Sequence, residues 1–360
     1  MSDIKELLVN RSDYRKTRAI ERPQEILAPR QIRVAVEKFA ITSNNVSYAV
    51  SGDAIGYWRF FPAEEGWGKV PVWGIGKVVE SQADSIKVGE KLYGYFPMSS
   101  EAVLTVGKVS DDSFMEASPH RADLAAVYNN YRRLAGEPED MQALEDERCL
   151  YFPLFITSYV LYDYLTDNDY FGAKQVVIGS VSSKTAFGLA QLLHEDRPDG
   201  PRVIGFTSPG NRAFVESLNC CDDILLYGEE AAVDASVKTA YVDMSGNREL
   251  TGKLHRHLGD NMVESCMVGA THWEKRGVAK DLPGAKPTFF FAPAQIAKRN
   301  KEWGPGVLYN KAGEASARLA RSAASEITVE RISGADAISD TWRDFLDNKV
   351  APSRGIMASL

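Results

Sequence analysis

Between residues 30 and 109 the apolar positions come in short runs broken by Gly, Pro, Asn and Asp. Ile32, Val34 and Val36 alternate with Arg33, Ala35 and Glu37, the period of a half-buried strand. Gly52, Asp53, Pro71, Gly74, Gly76, Gly89 and Pro97 punctuate the remainder, and residues 88–94 read as a turn entering a strand. This texture predicts a small, bent, all-β module. The pattern changes after Ser110. Leu124, Val127, Tyr128 and Tyr131 fall at i, i+3, i+4 and i+7 and predict an amphipathic helix. Residues 151–165 form an apolar and aromatic run long enough for a buried helix.

From Lys174 onward strands and helices alternate. Val176, Val177 and Ile178 are consecutive and apolar, as in a central parallel strand. Ala186, Leu189, Ala190 and Leu193 line one face of a helix, and 203–206 make a second strand. Further strands are predicted at 224–226, 240–242, 266–268 and 288–291. Strands at this spacing, with helical stretches between several of them, predict a doubly wound parallel sheet. The tail from about Gly306 predicts a helix (314–322), a strand (327–332) and a last helix (338–346).

Composition narrows the function classes. The chain has 360 residues, 44% hydrophobic and 25% charged, which excludes collagen-like, low-complexity and disordered chains and suits two domains. Lys and Arg number 42 against 49 Asp and Glu, a net charge of −7, which argues against a nucleic-acid partner. No run approaches the ~18 apolar residues of a membrane helix, and the first residues lack a signal-like apolar stretch. A cytoplasmic protein with no membrane partner is expected. Cys149, Cys220, Cys221 and Cys266 form no CxxC pair, and His255 and His257 have no zinc-like partner set, so no metal site is expected.

The strongest local chemistry is the turn Gly179-Ser180-Val181-Ser182-Ser183-Lys184-Thr185 between a strand and a helix. A helix N-terminus offers free N–H groups and the positive end of a dipole, which suit a phosphate. The usual dinucleotide fingerprint is GxGxxG; here only Gly179 keeps a glycine, serines supply hydroxyls, and Lys184 adds charge. The plainer reading is an ordinary helix capped by Ser182 or Ser183. The second strand ends in Thr207 and Ser208, with Arg212 four residues on. An NAD site normally places Asp or Glu there, on the ribose. With hydroxyls and a guanidinium instead, NADPH/NADP+ is expected over NADH. The plainer alternative is a surface turn with one solvated arginine. Tyr227, Ser245, Gly269, Phe291 and Ala292, at or just past the carboxyl ends of later strands, complete the expected cofactor contacts.

Residues 32–51 (IRVAVEKFAITSNNVSYAVS), 70–79 (VPVWGIGKVV), 86–93 (IKVGEKLY), 203–227 and 329–359 resemble, in order and spacing, the medium-chain dehydrogenase/reductase superfamily, on its zinc-free quinone-oxidoreductase-like side. NNVSYAVSGD, YWRFFP and SSKTA point to a narrower branch. The resemblance implies an N-terminal GroES-like β-rich domain for substrate (1–150 with 300–360) and a Rossmann doubly wound parallel-sheet domain for NADP (151–299). Zinc-dependent members carry Cys and Gly-His-Glu motifs; those positions fall near 43–46 and 71–73, where no Cys, His or Glu stands. The implied activity is zinc-independent NADPH-dependent reduction of an activated C=C bond (an enone) or a quinone on a small-molecule substrate of bulky, hydrophobic character, by a homodimer. Asn45 aligns with an asparagine that faces the nicotinamide. Tyr48, three residues on, is placed to donate a proton or hydrogen bond, and Tyr57, Asn44 and Lys69 are further polar options. The plain alternatives are a β-turn at 44–45 and packed tyrosines with satisfied hydroxyls. Tyr57, Trp58, Phe60, Phe61, Trp67 and Trp73 suit either a cleft for a planar substrate or a dimer interface. The rival function is a non-catalytic member that keeps the fold, and NADPH, as a structural or sensing protein.

Overall fold

Alternating apolar residues in the N-terminal module close a sheet on itself. The computed structural model describes residues 3–137, 139–196, 199–268 and 281–360. The chain forms two units: Met1–Leu150 with Val329–Val350 and Arg354–Leu360, and Tyr151–Thr328 with Ala351–Ser353. Residues 300–328 therefore lie in the second unit, and the chain returns to the first at Val329.

The strands of the first unit are β1 (Ile4–Asn10), β2 (Thr17–Arg22), β3 (Gln31–Ile41), β4 (Trp67–Gly68), β5 (Pro71–Ser81), β6 (Lys91–Pro97), β7 (Glu101–Val109), β8 (Ser113–Glu116) and β9 (Asn130–Arg133), with β16 (Thr328–Ser333) and β17 (Arg354–Ser359) from the tail. β3, β5, β6, β9, β8 and β7 pair in that order, and β7 pairs back onto β3. The six make a closed ring, which removes the free edges of an open sheet. β17 extends β3 beyond the ring, and β1 with β2 and β4 forms a separate small sheet. Gly94 allows the ring to fill: a Cβ there would meet the Tyr131 ring at 2.3 Å. Tyr131 in turn stacks on Phe114 at 5.4 Å.

This contact overturns the helix predicted across 124–131. Tyr131 is drawn into β9 opposite Phe114, and only Ala126–Asn129 keep a single 3-10 turn. Interior packing wins over a local 3.6-residue period. Helices α1 (Ser43–Val50), α2 (Gly52–Ile55), the single turn α3 (Glu139–Gln142) and α10 (Ala335–Leu346) also belong to this unit. Trp342 of α10 is fully buried, its indole N–H donating to the Tyr14 carbonyl at 2.7 Å.

The second unit carries β10 (Gln175–Gly179), β11 (Arg202–Thr207), β12 (Asp223–Leu226), β13 (Thr239–Asp243), β14 (Met262–Met267) and β15 (Thr288–Phe289). All pairs are parallel, in the order β12-β11-β10-β13-β14-β15. The order reverses between β10 and β13, and ligands of such sheets bind beyond the carboxyl ends of the strands at that switch point. All five residues of β10 are buried, as its unbroken apolar run predicts. Its helices are the part of α4 (Glu145–Asp167) from Tyr151 on, which contains the predicted 151–165 run, with α5 (Lys184–Glu195), α6 (Arg212–Leu218), α7 (Arg248–Leu258), α8 (Ala292–Trp303) and α9 (Val307–Ala323). Val177, Ile204, Phe206 and Tyr241 pack with Leu250, Leu254 and Leu258 of α7 on one face of the sheet. Gly205 belongs to the opposite face: a Cβ there would meet Val181 at 2.6 Å and Cys221 at 2.9 Å. Strand β15 is shorter than the predicted 288–291, because Phe291 already caps α8. No helix among the described residues is long and apolar enough to cross a membrane.

Candidate functional site

In the second unit the serine turn leaves β10 at Gly179. Ser180 takes a left-handed backbone, φ 58°, where glycine is the usual choice. Two backbone bonds hold the turn: Val181 N to Phe206 O and Ser183 N to Ser180 O, both 2.9 Å. Ser183 is the N-cap of α5 with extended backbone, but its hydroxyl does not cap the helix. The Tyr227 hydroxyl bonds Ser180, and burial raises its pKa. Asn211 Nδ2 donates to Ser182 Oγ at 3.2 Å. The loops after β11 and β12 are thus tied to the turn.

Lys184 opens α5 and is half-buried. The ammonium donates to the Pro352 carbonyl at 3.1 Å. Burial brings its pKa down to about 8. Thr185 is half-buried beside it, and its carbonyl accepts from Ser158 Oγ. Thr207, at the end of β11, is fully buried, and its hydroxyl has no hydrogen-bond partner among the described residues. Ser208 is half-buried and caps the turn Pro209–Asn211.

The structure brings Gly179, Ser180, Ser182, Ser183, Lys184, Thr185, Thr207 and Tyr227 around one end of β10 and β11. It treats the remaining candidates differently. Arg212 is exposed, and its guanidinium pairs with Glu216 one turn on, Nε to Oε1 2.8 Å. Ser245 is fully buried; its hydroxyl donates to Asp243 Oδ1 at 2.9 Å and accepts from Asn247 N at 3.1 Å, so it serves the turn after β13. Phe291 is half-exposed at the start of α8, with Ala292 as the first helical residue. Gly269 lies outside the described residues. Asn211 was not among the sequence candidates. Its only signal was an amide three residues past Ser208, beside the end of a strand.

In the first unit residues 44–45 are helical rather than a β-turn. Asn45 is the third residue of α1 and closes a capping box with Thr42: its Oδ1 accepts from Thr42 N at 2.7 Å. Its Nδ2 donates to the Pro71 carbonyl at 2.8 Å, and the residue is 2% exposed. The helical i, i+4 spacing sets Asn44 against Tyr48. Asn44 Nδ2 donates to the Tyr48 hydroxyl at 2.8 Å, and Trp73 Nε1 donates to the same oxygen at 3.1 Å. Both lone pairs of the phenol oxygen are engaged, so its own proton points away from these two residues. Burial raises the pKa of Tyr48 far enough to keep it a neutral phenol at ordinary pH.

Tyr48 lies 4.6 Å from the Tyr57 ring and 5.5 Å from Tyr95. Tyr57 and Tyr128 share a hydroxyl hydrogen bond of 2.9 Å. Tyr57, Trp58, Phe60 and Phe61 are buried in the unit, while Trp67 and Trp73 are half-buried. The Arg121 guanidinium sits 4.4 Å over Phe61. Most of this aromatic stretch is therefore interior packing. Lys69 is committed to Glu6, 2.8 Å from its carboxylate. Among the described residues no three His, Cys, Asp or Glu side chains group as a metal site.

A closed β module and a parallel sheet with its switch point after the first strand, carried on one chain, define the medium-chain dehydrogenase/reductase fold. The chain belongs to the family described as "Protein of unknown function (DUF2855)", which matches residues 39–351. No curated protein matches it. Its fold is similar to that of CurA from Vibrio vulnificus in complex with NADPH, with a TM-score of 0.61 and 12% identity over 99% of this chain and 98% of that one. The mitochondrial 2-enoyl thioester reductase Etr1p/Etr2p heterodimer from Candida tropicalis gives 0.58 at 12% identity, with both chains covered completely. The yhdH oxidoreductase from Salmonella enterica in complex with NADP gives 0.53 at 14% identity, with 99% of each covered.

Proposed function

We propose that this protein is a zinc-independent, NADPH-dependent reductase of the activated C=C bond of an enone or enoyl compound, or of a quinone. The second unit holds the cofactor and the first supplies the substrate-side groups. One observation carries the reading: at the switch point a hydroxyl-lined turn opens α5, and β11 ends in Thr207, whose buried hydroxyl has no partner among the described residues, rather than in a carboxylate. The fit to a phosphorylated dinucleotide rests on that donor set. Ser180, Ser182, Ser183, Thr185 and the first amides of α5 would hold the diphosphate. Thr207 and Ser208 would face the adenosine end, with Arg212 available if it leaves Glu216. Two of the similar folds were solved with NADPH or NADP, and a third is named a 2-enoyl thioester reductase, which supports the class.

NADPH, when bound, supplies a hydride to the β-carbon of the substrate. The protein's part is to stabilise the charge that moves onto the carbonyl oxygen and to return a proton to the α-carbon. Tyr48 is the group for both. Its oxygen accepts from Asn44 and Trp73, which leaves its own proton to be donated elsewhere, and burial raises its pKa so that it keeps that proton. Asn45 anchors the start of α1 and so sets the Asn44–Tyr48 pair, with one amide N–H left uncommitted. Tyr57 supports the Tyr48 ring. We also propose a cytoplasmic homodimer; Phe289, 60% exposed on the edge strand β15, suits a contact between copies.

The test is thermal melting with NADPH, NADP+ and NADH, followed by NADPH oxidation at 340 nm with trans-2-hexenoyl thioester, 2-cyclohexenone and 1,4-naphthoquinone. A rise with the phosphorylated pair, and turnover of one acceptor, is expected. No shift with any dinucleotide at millimolar excess refutes the reading. A shift without turnover across the panel favours a binding protein on the same fold.

A further inference from the structure

A buried hydroxyl without a partner costs free energy, and such a group calls for an explanation. Tyr95 carries one. It is fully buried on β6, and its hydroxyl has no hydrogen-bond partner among the described residues. Its surroundings are rings: Tyr128 at 4.7 Å, Trp73 at 5.1 Å, Phe60 at 5.3 Å and Tyr48 at 5.5 Å between centroids. Two further phenols of the cluster, Tyr57 and Tyr128, are bonded to each other.

The register of the sheet places the hydroxyl. Tyr95 stands directly opposite Trp73 across β5 and β6, so the two side chains leave the same face. Trp73 spends its indole N–H on the Tyr48 oxygen, and Tyr95 lies beside it, its ring at 87° to that of Tyr48. Burial raises the pKa of Tyr48, and Tyr95 is near enough to oppose that rise together with Trp73 and Asn44. In the neutral phenol, however, Asn44 and Trp73 already occupy both acceptor positions of the Tyr48 oxygen, and Tyr95 finds none to bond. Loss of the Tyr48 proton would give that oxygen a third lone pair and a full negative charge.

We propose that Tyr95 is a positioning residue for proton transfer by Tyr48: its hydroxyl, unpartnered while Tyr48 is neutral, bonds the phenolate and completes a three-donor hole with Asn44 and Trp73. The proposal rests on the reading of Tyr48 as the acid. In the step, the Tyr48 O–H bond breaks and the electron pair of the substrate enolate takes the proton to form the C–H bond at the α-carbon. The O–H pair stays on the phenol oxygen, and water later returns the proton. A contact missing from the resting state and made as charge develops lowers the barrier without tightening substrate binding.

The experiment uses the full chain as wild type, Tyr95→Phe, Tyr48→Phe and the double variant, with melting curves and with kinetics on NADPH and the three acceptors. A polyfluorinated tyrosine is also installed at position 48, with and without Tyr95→Phe; its electron-poor phenol ionises at accessible pH and is followed by fluorine NMR. Tyr95→Phe should melt at or above wild type without ligand, keep KM, and lose roughly tenfold or more in kcat, as loss of a hydrogen bond to a charged group predicts. In the Tyr48→Phe background it should change kcat no further. The pKa of the fluorinated phenol should rise by about one unit or more in Tyr95→Phe. That readout needs no turnover, so a rise in a protein that reduces none of the acceptors keeps the hole and refutes the reductase reading. An unmoved pKa overturns the hole. So does a lower melting temperature of Tyr95→Phe, which would show a partnered hydroxyl. In a protein that turns over, equal kcat with and without the hydroxyl overturns its part in the reaction.

Discussion

Replacing Lys184 by methionine should stabilise the ligand-free protein. Burial brings the ammonium from the ordinary 10.5 to about 8. The difference, 10.5 − 8, at ~1.36 kcal/mol per unit, is about 3 kcal/mol by which the fold disfavours the charged form. Loss of the ammonium's favourable contacts, the bond to the Pro352 carbonyl among them, takes back about 1 kcal/mol. The net gain is about 2 kcal/mol near neutral pH, or roughly 4–8 °C in Tm for a unit of this size. The sign with pH follows from linkage. Between pH 8 and 10.5 the unfolded chain still holds the proton that the folded chain has released, so wild-type stability rises with pH across that window. The advantage of the variant is therefore full below pH 8 and closes by about pH 10.5. Urea unfolding followed by far-UV circular dichroism at pH 7, 8, 9 and 10, without ligand, measures it directly. A variant less stable than wild type at pH 7, or an advantage equal at pH 7 and pH 10, refutes the reasoning.

Tyr48→Phe should leave NADPH affinity unchanged and cut turnover by about a hundredfold or more, the scale of a lost general acid; equal kcat in the two proteins rules Tyr48 out as donor. Gly94→Ala should destabilise the protein by about 1–3 kcal/mol, because the added Cβ falls 2.3 Å from the Tyr131 ring within the closed sheet; chemical denaturation reads it, and a neutral result means that the ring can yield. Ser180→Gly should relieve about 1 kcal/mol of left-handed strain at φ 58°, seen as a higher Tm without ligand, and no change there would show the strain to be already compensated.

The parallel sheet was legible because its central strands are buried on both faces: Val176, Val177 and Ile178 need no alternation to be recognised. The start of α5 was equally local, since strand, serines and helix follow one another in the chain. The failures have physical causes. The helix expected at 124–131 had the right period, but Tyr131 is held by Gly94 and Phe114, which no local window contains. Asn44 and Asn45 have the composition of a turn; the capping bond from Thr42 and the acceptor at Pro71 turn them into a helix start. The pairing of Arg212 with Glu216, four residues on, is a local contact that the cofactor reading of Arg212 did not weigh. The contact of Lys184 with Pro352 spans 168 positions and had no local signal at all.

The pairing of β17 with β3 has a consequence for how the chain is made. Phe39, Ala40 and Ile41 are buried, and they pair with Ala358, Met357 and Ile356. Ile41 leaves the ribosome 315 residues (356 − 41) before its partner. At about 5–20 residues per second that is an interval of roughly 15–60 s. During it the end of β3 offers an apolar, unpaired strand edge to any other nascent chain. Slower translation lengthens that exposure, and the yield of native protein should fall with crowding on the polysome long before the stability of the finished fold is at issue.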